Sequence, residues 1–180
     1  RFKGFKSWGA NPDFSYFGGN SEMRGYEYLS FIGQQGFFAN AELRFPLIEA
    51  MLTPVGVLGG IRGTIFGNIG GAGFPQQNYK FSSKDTITEQ PILGFQYGED
   101  GTTIVPVYGD PLTVSGFRLQ DGRASYGFGL ESFLLGFPIH VDYVWRTTFN
   151  KQWEDLVFST TGGSEEFRKG KFHFWIGYDF

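Results

Sequence analysis

Large apolar side chains recur at every second position in five stretches of this chain, and the positions between them carry charges, amides, small residues or glycine. In the first stretch Phe37, Ala39, Ala41, Leu43, Phe45 and Leu47 alternate with Phe38, Asn40, Glu42 and Arg44. The second sets Val55, Val57, Ile61, Ile65 and Ile69 against Arg62, Thr64, Phe66 and Asn68. The third opposes Tyr126, Phe128 and Leu130 to Ser125, Gly127, Gly129 and Glu131, and the fourth Ile139, Val141, Tyr143 and Trp145 to His140, Asp142 and Arg146. In the last, Phe172, Phe174, Ile176, Tyr178 and Phe180 alternate with Lys171, His173, Trp175, Gly177 and Asp179. A period of two belongs to the β-strand, whose successive side chains point to opposite faces, and not to the 3.6-residue helix. The same interleaving reconciles 41% apolar residues with a mean hydropathy of -0.21. No run of about 18 apolar residues exists, which excludes a transmembrane helix. The expected class is all-β and antiparallel.

The connections carry a second pattern. Residues 48–54 and 136–138 are short links, whereas residues 70–122 and 148–169 are long, so short and long links fall at opposite ends of the strands. Transmembrane barrels sort their connections in this way, with short periplasmic turns and long outer loops. Each stretch, at about 9 to 12 residues, is long enough to cross a bilayer as a tilted strand. Within the loop 70–122, Ile92 to Tyr97 and Thr102 to Tyr108 read as a hairpin around Glu99, Asp100 and Gly101, with Pro106 weakening its second arm. Residues 1–36 are rich in Gly, Ser and Asn and read mostly as loop, with Phe2 to Trp8 as the end of a preceding strand.

Alternation alone does not say whether the apolar face fills a soluble barrel or faces lipid outside a membrane barrel. The opposite face decides for lipid: Glu42, Arg44, Arg62, Glu131, Asp142, Arg146 and Asp179 mix both signs of charge, as a wet lumen requires. Tyr126, Trp145 and Tyr178 near strand ends suit an interfacial aromatic girdle.

Several functions are disfavoured. A net charge of -3 supplies no basic surface for nucleic acid. Cysteine is absent, which removes disulfides and thiol chemistry. His140 and His173 have no third ligand at recognisable spacing, Ser125 and Ser132 sit in no nucleophile motif, and the glycines at 67, 70, 71 and 73 precede no helix that would make a phosphate loop. Glu99 with Asp100 reads as a turn and Glu165 with Glu166 as a solvated loop. Neither an enzyme nor a metal or cofactor is expected.

The sequence from about Phe14 to Phe180 resembles the BamA-type surface-antigen superfamily of outer-membrane barrels. FGG at 17–19, MRGY at 23–26, ANAELRFPL at 39–47, GGIRGTIFGNIG at 59–70, ASYGFGLES at 124–132 and the terminal GKFHFWIGYDF look like that superfamily's last strands in order. The resemblance implies a sixteen-stranded antiparallel transmembrane barrel in the cell outer membrane, preceded by soluble periplasmic domains. This chain would hold the last five or six strands: residues 1–36 as a preceding strand end and a lumen-inserted extracellular loop, residues 37–180 as the final five strands. The chain opens at Arg1 without a signal peptide, which reads as a processed protein or a fragment.

The resemblance also assigns residues. Arg24, Gly25 and Tyr26 would form the tip of a loop folded into the lumen, with Glu42 as the wall partner of Arg24. A second acidic partner is expected on the next strand, where Asn68 stands instead; Asn68 would be a lumen partner that accepts one hydrogen bond from Arg24 without offering a charge, leaving the loop on Glu42 alone or recruiting Glu131 or Asp142. Phe172, Phe174, Ile176, Tyr178 and Phe180 look like the C-terminal signal that outer-membrane assembly machinery reads. The implied partners are outer-membrane lipid, the remaining barrel strands of this or another chain, the assembly machinery and other envelope proteins. The implied function is insertion or translocation of proteins at the outer membrane; the alternative is a membrane anchor for a fused periplasmic domain or complex, without transport activity.

Overall fold

The computed structural model describes residues 1–54, 56–134 and 136–177. In chain order the elements are β1 (Phe2–Lys6), β2 (Ser15–Phe17), β3 (Phe31–Gly33), β4 (Gln35–Thr53), β5 (Gly56–Gly73), β6 (Ser82–Ser83), β7 (Ile87–Glu89), β8 (Ile92–Tyr97), β9 (Ile104–Tyr108), β10 (Leu112–Val114), β11 (Arg118–Leu119), β12 (Arg123–Leu134), β13 (Phe137–Thr147), α1 (Lys151–Val157), α2 (Gly163–Arg168) and β14 (Lys171–Ile176). The alternating stretches form β4, β5, β12, β13 and β14, and with β1 they make one six-stranded sheet in the order β1-β4-β5-β12-β13-β14. Every neighbouring pair is antiparallel, and β1 and β14 are its edges. No helix is long and apolar enough to cross a membrane among the described residues.

The two faces of this sheet are inverted relative to a water-soluble sheet, which buries its apolar side. Leu43, Ile65, Phe128 and Phe174 lie 54–66% exposed, whereas Asn68, Glu131, His140 and Asp142 are 3–6% exposed. The polar face is covered by the segment between β1 and β4. There β2 and β3 pair, and Phe17, Met23, Phe31 and Phe38 form a small apolar core with Phe5, Tyr26 and Ala72 around it.

Three boundaries differ from the sequence reading. The link 48–54 is mostly strand, since β4 continues to Thr53. Pro46 faces Arg62 and Ile48 faces Ile61, so Leu47 is an extra residue in a bulge. The bulge moves the apolar positions from odd numbers (Leu43, Phe45) to even ones (Ile48, Leu52), which ends the visible period although the strand goes on. Residues 1–36 are more ordered than a loop, because Phe17 and Phe31 stack with centroids 5.0 Å apart and close the β2–β3 hairpin. The loop 148–169 contains α1 and α2. Asn150 caps α1 by accepting from Trp153 N at 3.0 Å, and Glu165 and Glu166 occupy the first turn of α2.

The expected hairpin in the loop 70–122 is β8–β9, with Pro106 opposite Phe95. Asp100 accepts the amides of Thr102 and Thr103 at 3.0 and 2.8 Å and so builds the turn. Below it, β7 pairs with β10 and β6 with β11, zipping the two legs of the loop into a ribbon. Val55, Tyr178, Asp179 and Phe180 lie outside the described residues.

Candidate functional site

The MRGY tip lies at the turn of the loop between β2 and β3, pressed against the polar face of the sheet. Its stem is set by Phe17, which packs on Phe31 and, at 5.1 Å, on Phe38 of β4. Above the stem the backbone folds on itself: Gly18 N donates to Glu22 Oε2 at 2.8 Å and Met23 N to Gly19 O at 2.9 Å. These bonds deliver Arg24 to the polar face of the sheet.

Arg24 is 3% exposed, so its charge needs fixed partners. One Nη lies 2.8 Å from Glu42 Oε1, Nε donates to Asn20 O at 3.0 Å, and Nε stands 3.7 Å from Asp142 Oδ2. The guanidinium lies over the Phe66 ring at 4.4 Å, where the ring quadrupole favours a cation. The charge series continues along the polar face of the sheet. Glu42 Oε2 accepts from Arg44 at 2.7 Å, and Arg44 Nη1 is 3.4 Å from Glu131. Asp142 also accepts from Trp175 Nε1 at 2.9 Å, which fixes its carboxylate from β14. Trp175 in turn stacks on His140 at 3.7 Å.

Gly25 adopts φ +87, and a Cβ there would stand 2.8 Å from Val144 Cγ1. Both the left-handed backbone and the close approach therefore require glycine. Tyr26 donates its hydroxyl to Ala124 O at 2.9 Å and packs edge-on against Phe31. Burial raises the Tyr26 phenol well above its ordinary value of 10.0, with Arg123 and Arg146 opposing part of the shift. The loop is thus held by an ion pair, a backbone contact and a phenol.

Comparison with protein-family models, curated proteins and solved structures finds no match.

Asn68 takes a different place from the one expected. It accepts from Asn40 at 2.7 Å and donates to Ser125 Oγ at 3.0 Å, making an amide row across β4, β5 and β12. Asn40 also donates to Glu22 O, tying that row to the loop. The second carboxylate beside Arg24 is Asp142 on β13, while Glu131 joins through Arg44. Phe172, Phe174 and Ile176 are exposed on the apolar face of the edge strand β14; Tyr178 and Phe180 lie outside the described residues. His140 and His173 are on adjacent strands, with His140 Nε2 3.1 Å from Gly177 O and His173 opposite Asp142.

A second constellation escaped the sequence reading. At the long-loop end, Leu119 N donates to Thr148 O at 2.9 Å, Asn150 to Ser115 O at 2.8 Å, and Ser159 Oγ to Ile92 O at 2.7 Å. Arg118, buried, donates to Asp85 O at 2.6 Å and lies over Trp153. Glu154 is fully buried; it accepts Thr148 N at 2.6 Å and pairs with Arg168. The two long loops therefore form one cap. Capping residues such as Asn150 are legible locally, but Glu154 and Arg118 acquire their roles only when distant loops meet.

Proposed function

We propose that this chain supplies the C-terminal strands of an outer-membrane β-barrel of the BamA-like type, which participates in inserting or translocating proteins at the outer membrane. The observation that carries the reading is the inverted sheet with a loop locked to its polar side. Aromatic and aliphatic side chains cover the outward face, while Arg24, Glu42, Asp142 and the amide row occupy the inner one. An apolar exterior around a hydrogen-bonded polar interior suits lipid outside and water within. The open edges β1 and β14 would be closed by further strands, because an unpaired strand edge in hydrocarbon costs several kcal/mol per unsatisfied group.

The contacts made by Arg24, Glu42 and Asp142 are those of an anchor. The lock holds a loop across several strands and stiffens the sheet between the edges that further strands would close. The function is tested with the complete protein in liposomes, measuring how fast an unfolded outer-membrane β-protein inserts. Wild type should accelerate insertion and Arg24→Ala should lose most of the acceleration. No acceleration by wild type would favour a membrane anchor without transport activity.

A further inference from the structure

Beside the Arg24 lock, on the side of β14, a cavity of about 540 Å³ opens between the loop and the wall. The loop contributes Gly19, Asn20 and the run from Gly25 to Tyr28, and the wall contributes Arg146, Lys171 and His173. The three wall residues share the polar face of adjacent strands, since Val144 pairs with Lys171 and Asp142 with His173.

This corner differs from the paired series at Arg24 and Arg44. Arg24 and Arg44 each meet carboxylates within 4.0 Å, whereas among the described residues Arg146 and Lys171 meet none at that distance. Arg146 Nε and His173 Nε2 are buried with no hydrogen-bond partner. The Arg146 Nε–H, left unbonded, is costly unless an acceptor arrives. Arg146 is also held in position, with its guanidinium 4.8 Å from the Phe167 ring and 5.9 Å from the Tyr26 ring. A fixed guanidinium edge is prepared for a planar oxyanion.

We propose that this cavity binds a carboxylate of an acidic peptide segment entering the polar side of the sheet, with Arg146 as the directional donor and Lys171 as the supporting charge. Two cations face it, and Glu27 on the loop side returns one negative charge, so the balance suits a monoanion better than a dianionic phosphate. Tyr26 and Tyr28 line the same cavity and supply aromatic surface for the peptide beside its carboxylate. The inference rests on reading the polar face as a lumen that polypeptide can enter, and it deepens that reading by naming what the wall would recognise.

The test uses the complete protein in detergent and a fluorescent peptide bearing Asp between aromatic residues, with its Asn counterpart as control. The Asp peptide should bind saturably and at least about tenfold more tightly than the Asn peptide, a typical margin for one charge-assisted hydrogen bond. Arg146→Gln should lose about that factor. Glu27→Gln changes an exposed side chain and should tighten binding, so a gain of affinity guards against a misfolded loss. No saturable binding, equal affinity for the Asp and Asn peptides, or no change in either variant would overturn the site. Inorganic phosphate displacing the peptide as effectively as free acetate or better would overturn the carboxylate assignment. Liposome insertion is measured separately, so a barrel that assembles proteins but ignores the peptide refutes this site alone.

Discussion

Arg24 unites four contacts, and that is why a second basic residue would not replace it. Lysine offers one compact ammonium, which cannot reach Asn20 O, Glu42 and Asp142 together or lie flat on Phe66. Arg24→Ala and Glu42→Ala should show a coupling of about 1–3 kcal/mol in a double-mutant cycle, read from hydrogen exchange across residues 18–30; additive effects would mean that the pair contributes nothing. Tyr26 gives a pH signature. Its pKa is raised by burial in the folded state, so its stabilising contribution is complete below the unfolded value and declines as pH climbs above 10. Loop protection should therefore weaken in that alkaline range for wild type, and Tyr26→Phe should remove that part of the dependence. Sequence reasoning found Glu42 because alternation and motif agree there. It could not choose between Glu131 and Asp142, since that choice depends on which strand the folded loop reaches, and Arg24 stands 3.7 Å from Asp142, whose carboxylate Trp175 holds.

At the scale of elements, the alternating stretches are legible because each face meets a different environment along its whole length. The bulge at Leu47 is not, because one added residue exchanges the faces and imitates the end of a strand. Deleting Leu47 should restore a continuous register and leave the fold intact, whereas deleting Leu43 would displace Glu42 or Arg44 relative to the wall. Heat-modifiable gel mobility of the complete refolded protein should separate the two, with the Leu47 deletion folding and the Leu43 deletion failing; the reverse order would refute the bulge. The helices of the loop 148–169 were hidden for another reason. Segments of seven and six residues are too short to be stable alone; they are held by tertiary contacts, among them the Glu154–Arg168 pair, the Phe158–Phe167 stack and Arg118 over Trp153. The β8–β9 hairpin was visible because its turn is local, with Asp100 bonding residues two and three positions ahead.

For the whole molecule, the inversion of the sheet governs everything else. In water, Phe128, Phe172 and Phe174 would present a continuous apolar surface, an arrangement that marks a contact with lipid or protein. This chain contains no cysteine, so each cysteine introduced into it gives a single nitroxide site here, studied in the complete protein in lipid bilayers with any cysteine outside this stretch replaced. Labels at Phe128→Cys, Leu130→Cys and Phe174→Cys should collide readily with dissolved oxygen and poorly with a water-soluble nickel chelate, and labels at Thr64→Cys and Ser125→Cys should be shielded from the lipid phase. A period of two in oxygen accessibility along β12 is the predicted result; labels at Phe128, Leu130 and Phe174 that meet neither reagent, or only the nickel chelate, would contradict the account.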